Sequence, residues 1–264
     1  MVIQNQSDKN MLEKLGFCFG KRTAHTSRTI MFSELDTLLS HSMPEATKVQ
    51  YLLSIVELNI LNKQTLRSRK LTAERLTELY GLSQDICIFR CMRHLWYADA
   101  KSRPLLAFFC SCTRDTLLRL STEKVVSTSI GATISTSDME NALRTLAPER
   151  FSQATLTSAA QNINSSHTQA GYLSGRSNKK RTQTNPTPAN VAYALFLGYL
   201  EGFQAERLFE SFWARLLDIP TEKIHELAIA ASRKGWLDYR SAGGIIDVQF
   251  PNLLTEEEKR MLYD

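Results

Sequence analysis

The chain has 264 residues, 43% hydrophobic and 22% charged, the profile of a folded protein long enough for one large or two modest domains. Its 32 Lys and Arg outnumber 27 Asp and Glu, a mild excess that favours an anionic partner. Five Cys without a C-x-x-C pair speak against a disulfide scaffold and for a reducing compartment. The first ten residues are polar and lack a leader's apolar core, and runs 105–112 and 191–200 fall short of the roughly 20 residues a membrane span needs. A cytoplasmic protein is expected, without a membrane partner.

In chain order, residues 1–30 are polar and partly basic, and are expected to be a flexible segment. Residues 31–137 read as a helical domain. Two helices are expected over 31–61, the second entered near Pro44, with Val49, Leu52, Leu53, Val56 and Ile60 at helical spacing. Residues 61–72 carry Lys63, Arg67, Arg69 and Lys70 without an acid. They are read as a solvated connector before a second candidate nucleic-acid patch. A helix from Thr72 ends at Gly81, a C′ glycine, and Ser83 is expected to cap the next, to about Ala98. That helix–turn–helix outline reads as a core hairpin before a DNA reader. Pro104 opens an apolar, buried helix over 105–120. Residues 121–137 read as a linker or irregular strand pair. Asp138 is expected to cap a short helix to Leu146, which Pro148 ends.

Residues 150–200 contain no Asp or Glu and five cations, Arg150, Arg176, Lys179, Lys180 and Arg181. Without these five the chain balances at 27 against 27, so the net charge sits in this window. A helix is expected over 154–170, with Leu156, Ala159, Ile163 and Ala170 as its apolar stripe. Thr157, Ser158, Gln161, Asn164 and Ser165 give it amides and hydroxyls, which can bond base edges and phosphates. His167 reads as a surface or packing residue. Ala170-Gly171-Tyr172-Leu173 closes the helix, and the basic loop 174–181 follows. Helix, glycine corner and basic loop together read as a winged helix over 138–188, with the helix in a major groove and Arg176, Lys179, Lys180 and Arg181 on the backbone.

Residues 189–264 are expected to form a second winged-helix-like unit: helices over 189–201, 204–217 and 221–234, then a hairpin through Ala242-Gly243-Gly244. Lys234-Gly235-Trp236-Leu237 echoes the first corner. The fold class expected is therefore mainly α, a helical N-terminal domain followed by winged-helix-like modules and a short C-terminal β-hairpin. Trp96, Trp213 and Trp236 read as core, as do Phe203, Phe209 and Phe212. Cys87, Cys91, Cys110 and Cys112 read as buried thiols rather than zinc ligands. No phosphate loop, nucleophile elbow or H-E-x-x-H pattern is present. No catalytic residue, metal or cofactor is expected.

The basic stretch Asn62-Lys63-Gln64-Thr65-Leu66-Arg67-Ser68-Arg69 and the close Ala170-Gly171-Tyr172-Leu173 carry a resemblance. Over residues 58–173 the chain resembles the small helical BrxA component of bacterial BREX phage-defence systems. The resemblance implies a mostly helical, double-stranded DNA-binding accessory protein without catalysis of its own, acting with larger ATPase and methyltransferase subunits. It covers under half of the chain and leaves residues 189–254 outside it. A protein-interaction adaptor and a transcriptional regulator are the alternatives.

Overall fold

Helix starts follow from local capping. The computed structural model describes residues 6–263. Its first helices are α1 (Gln6–Leu15), α2 (Phe32–Ser40), α3 (Lys48–Val56), α4 (Leu66–Tyr80) and α5 (Cys87–Ala98). Then come α6 (Arg103–Arg114), α7 (Thr116–Val126), β1 (Thr133–Ile134), α8 (Thr136–Leu146), α9 (Gln153–Ala170), β2 (Leu173–Ser174) and β3 (Lys179–Arg181). The last part holds α10 (Pro188–Leu200), α11 (Phe212–Arg215), α12 (Thr221–Arg233), β4 (Asp238–Ala242), β5 (Ile245–Gln249) and α13 (Glu256–Tyr263). Reciprocal capping boxes open α3 at Thr47 and Gln50, α4 at Thr65 and Ser68, and α8 at Ser135 and Asp138. Each satisfies amides the first turn leaves unpaired.

The fold is mainly α with small antiparallel sheets, as the sequence pattern predicts. Local expectations shift where capping or burial outweighs pattern. Residues 6–30 are not a loose segment; the first five residues lie outside the described ones. Leu12, Leu15 and Phe17 are buried, and burial of each contributes roughly 1.5–3 kcal/mol. α3 starts at Thr47 rather than near Pro44, and it faces the other way: Tyr51 and Ile55 enter the core, while Val49 and Leu53 are exposed. α4, capped by Thr65, starts at Leu66 rather than Thr72, so Arg67, Arg69 and Lys70 enter a helix. α5 starts at Cys87 without a side-chain cap from Ser83. It buries Cys87, Ile88, Phe89 and Met92, as a core hairpin requires.

The helix expected over 105–120 breaks at Asp115. This residue is extended, and its carboxylate accepts from the amides of Leu117 and Leu118 at 3.0 and 3.1 Å, starting α7. α7 then runs on to Val126, through about the first third of the expected linker. The helix expected over 204–217 becomes a 3-10 turn (Ala205–Glu210) and the short α11.

The unit drawn at 138–188 borrows elements from further upstream. β1 pairs with β3, and β3 with β2, in the order β1-β3-β2. The sequence α7, β1, α8, α9, β2, β3 is the helix–strand–helix–helix–strand–strand order of a winged helix. It spans 116–181. Residues 189–264 are not set apart by a linker either. α10 is buried from Ala189 to Leu200; it packs on α5 and α6 as well as on α11 and α12. The side-chain amide of Asn190 donates to Ser102 O at 2.8 Å, and the Tyr193 hydroxyl to Ile88 O at 2.9 Å. Trp96 and Trp213 are fully buried and Trp236 nearly so, and the four helical cysteines are buried free thiols.

Candidate nucleic-acid interface

Ser152 caps α9, accepting from the Thr155 amide. Gly171 ends it at φ +91°, a conformation that L side chains rarely adopt. The Tyr172 amide returns to His167 O at 2.9 Å and that of Gly171 to Thr168 O at 3.2 Å, closing the helix in a Schellman turn. Tyr172 then swings into the core against Phe108 and His167, and its hydroxyl donates to Leu216 O. The chain leaves this corner as β2 and returns as β3, with Leu173 opposite Arg181 and Ser174 opposite Lys180. Between them the wing is tight: a Cβ on Gly175 would lie 2.4 Å from Asn178 O.

The candidate contacts separate by accessibility. Along α9, Ala154, Ser158 and Gln161 are exposed, and Ser165 and Thr168 partly so. Their spacing alternates four and three, so they form one open stripe of small or amide side chains. Thr157 borders it, its hydroxyl given to Glu140 Oε1 at 2.7 Å on α8. Asn164 is not on the stripe. It is 2% exposed and its amide donates to Ser135 O at 3.4 Å; its position on the helix turns it toward α8 and the core.

On the wing, Arg176 and Lys180 are exposed, with no ion pair among the described residues. The Lys179 ammonium curls back onto Gly175 O at 2.9 Å. Arg181 is no phosphate contact. It is 1% exposed, donates to Val125 O at 2.9 Å and Tyr172 O at 3.4 Å, and pairs with Asp218 at 2.7 Å. Strand alternation explains this: Lys180 points outward, so its neighbour Arg181 must point inward.

The earlier basic stretch divides in the same way. Lys63 pairs with Glu34 at 3.0 Å. Arg69 donates to Lys63 O and Val56 O, both at 3.3 Å, and so ties the turn before α4. Arg67 and Lys70 stay exposed on α4, which packs on α3 and α6. Among the described residues no hydrogen bond or ion pair joins this stretch to the wing.

One feature of the interface was not legible in the sequence. A second face of α9 is gripped by residues 25–32. The amide of Asn162 donates to His25 O at 2.9 Å; Gln169 accepts from the Phe32 amide at 3.1 Å and donates to the Thr29 hydroxyl at 3.0 Å. Ser166 Oγ accepts from the Ile30 amide at 3.0 Å, donates to Asn162 O at 2.9 Å and lies 2.9 Å from His25 Nε2. His25 Nδ1 lies 2.8 Å from Asp115, which also accepts from the Thr23 hydroxyl at 2.7 Å. Burial works to raise the Asp115 pKa, but the His25 charge and the hydrogen bonds from His25, Thr23 and Leu118 outweigh it and bring it down to about 2.

Asp115, His25 and Ser166 are linked in the manner of a nucleophilic relay. All three are buried, and the serine oxygen is already engaged by three protein groups. The cluster fixes α9 against α7 and the N-terminal segment; it leaves no face for a substrate. Among the described residues no group of three or more His, Cys, Asp and Glu is placed to hold a metal. No helix among them is long and apolar enough to cross a membrane.

The second unit repeats the corner with different surface chemistry. Gly235, at φ +72°, ends α12; the Trp236 amide returns to Ala231 O at 3.2 Å and that of Gly235 to Ser232 O at 2.9 Å. The β4–β5 hairpin follows, with Tyr239 opposite Val248. The open side of α12, however, carries Glu222, Lys223, Glu226, Ile229 and Arg233, with Lys223 paired to Glu226 at 2.5 Å, so it is a charged face rather than an acid-free stripe. No family model matches the chain, and no curated protein matches it either.

Proposed function

We propose that this chain binds duplex DNA through α9 and the β2–β3 wing, as a non-enzymatic subunit. The observation that carries the reading is the open stripe of α9. It is free of carboxylates and stands in a winged-helix order, beside a wing whose Arg176 and Lys180 have no ion pair. Ser158, Gln161 and Ser165 would meet base edges and phosphates in the major groove, and Arg176, Lys180 and, after uncurling, Lys179 would lie along the backbone. With the resemblance to BrxA, the setting proposed is a cytoplasmic accessory of a phage-defence system, working beside ATPase and methyltransferase subunits.

The test is a titration of parent and an Arg176→Ala/Lys180→Ala variant on one duplex at several salt concentrations. Each phosphate contact contributes about 0.9 to the slope of log K against log salt, so the slope should fall by about 2. The loss should be alike for every sequence, because phosphate contacts position without specifying. Parallel lines of equal height would remove the wing from the interface and the reading with it.

A further inference from the structure

Of the eleven exposed large hydrophobic residues described, five fall within 43–66: Met43, Val49, Leu53, Leu58 and Leu66. Val49 and Leu53 are on α3, whose Tyr51 and Ile55 enter the core, and Leu66 opens α4. A trough runs along α4, walled over part of its length by Lys48, Leu52 and Val56 of α3. One depression is floored by Leu52, Val56 and Ala73; a second holds Leu66 and Leu71. The two adjoin, sharing Lys70 and Glu74, and follow α4 from Leu66 to Glu78, about 18 Å at 1.5 Å per residue.

The charges of this trough are unbalanced. Glu74 and Glu78 are occupied: Arg22 pairs with both, at 2.9 and 3.2 Å, and Arg75 with Glu78 at 2.6 Å. Lys48, Arg67 and Lys70 border the same trough and have no ion pair among the described residues. The rim is therefore positive and the floor apolar.

We propose that this trough docks an amphipathic helix of another protein, with leucine-like residues in the trough and carboxylates along its flanks. A straight apolar groove of this length suits helix-in-groove recognition, with anchors at i, i+3, i+4 and i+7. The carboxylates would meet Lys48, Arg67 and Lys70. Duplex DNA would satisfy the cations but leave the apolar lining of Leu52, Val56, Ala73 and Leu66 unmatched. A second copy meeting this face by a two-fold axis would set the same cations against themselves. The surface lies apart from α9 and the wing, so the docking does not rest on the DNA reading.

The probes are two synthetic helical peptides with one leucine face, flanked by Glu in one and by Lys in the other. Fluorescence anisotropy follows their binding to the full chain. The Glu peptide should bind, and the Lys peptide about tenfold or more weakly, since like charges at a contact discriminate against the wrong partner. A Leu66→Gln variant, at an exposed residue that lines the trough, should lose the Glu peptide by about tenfold or more, as truncated anchors do, with melting and DNA affinity unchanged. Lys48→Glu/Lys70→Glu should reverse the preference between the peptides. No binding of the Glu peptide, equal binding of both, or indifference to Leu66→Gln would overturn the proposal. Self-association abolished by Leu66→Gln would give the face to a second copy, and a fall in DNA affinity would give it to DNA. Either result also overturns it.

Discussion

His167 sits within the polar window of α9 yet is wholly buried, with Nδ1 2.9 Å from Ile163 O and the ring between Phe108 and Tyr172. Burial pushes its pKa down to about 3, so the folded chain holds the ring neutral. The unfolded chain takes up a proton below the ordinary value near 6.5. A depressed histidine pKa therefore gives stability that is present above pH 6.5 and is lost as pH falls toward 3, at about 1.4 kcal/mol per pH unit. In urea melts of the parent from pH 7 to 4 that decline is superposed on the opposite trend of Glu201, which burial raises to about 7. His167→Gln should abolish the decline; an unchanged slope would remove His167 as its source. Asp115, lowered to about 2, is also lost on the acid side, but in a window beginning below about pH 4, so the two separate.

At the scale of the element, α9 serves three neighbours at once. Leu156, Ala159 and Ile163 enter the core, Asn162, Ser166 and Gln169 bond the N-terminal segment, and the Ser158–Gln161–Ser165 stripe stays open. Two amides three residues apart should therefore behave differently. Gln161→Ala should leave the melt unchanged and weaken DNA binding by about 1–3 kcal/mol, more on a preferred sequence than on random DNA. Asn164→Ala should instead destabilise by about 0.5–1.5 kcal/mol, the net worth of one hydrogen bond, because it removes a buried amide that donates to Ser135 O, an oxygen that keeps the Met139 amide. A Gln161→Ala variant that unfolds early while keeping its DNA affinity would overturn this assignment of faces.

At the scale of the whole molecule, the β2–β3 region is locked to the connection between α11 and α12. Tyr172 reaches Leu216 O, Thr184 Oγ donates to Leu217 O at 2.7 Å, and Arg181 pairs with Asp218. Asp218 has φ +58°, and its main-chain oxygen accepts from Gln183 Nε2 at 3.0 Å. Arg181→Met should destabilise by roughly 3–5 kcal/mol, since breaking a buried pair leaves Asp218 and several carbonyls uncompensated. Below the unfolding transition its DNA salt slope should match the parent's, unlike that of Arg176→Ala/Lys180→Ala. A chemical melt superimposing on the parent would show that the lock contributes nothing. The lock also fixes how the uncharged stripe of α9 and the charged face of α12, with both signs present, are displayed.

The sequence by itself determined the local features. The ends of α9, α10 and α12 and the β4–β5 hairpin were legible because caps, glycine corners and apolar spacing are short-range signals. Both Gly–aromatic–Leu corners were readable for the same reason: a left-handed residue ends the helix and the next side chain turns inward. Only the tertiary structure decided which polar residues are available. Arg181 and Lys180 are neighbours of the same basic type, and the strand pleat alone sends one to Asp218 and the other to solvent. Gln161 and Asn164 differ only in which neighbour faces them. The outward face of α3 and the burial of Thr23 and His25 were equally hidden, because they depend on partners 90 or more residues away in the chain for the latter pair, and on core competition from Tyr51 and Ile55 for the former. Charge counted along a chain records how many cations a window holds; packing decides how many of them a ligand can meet.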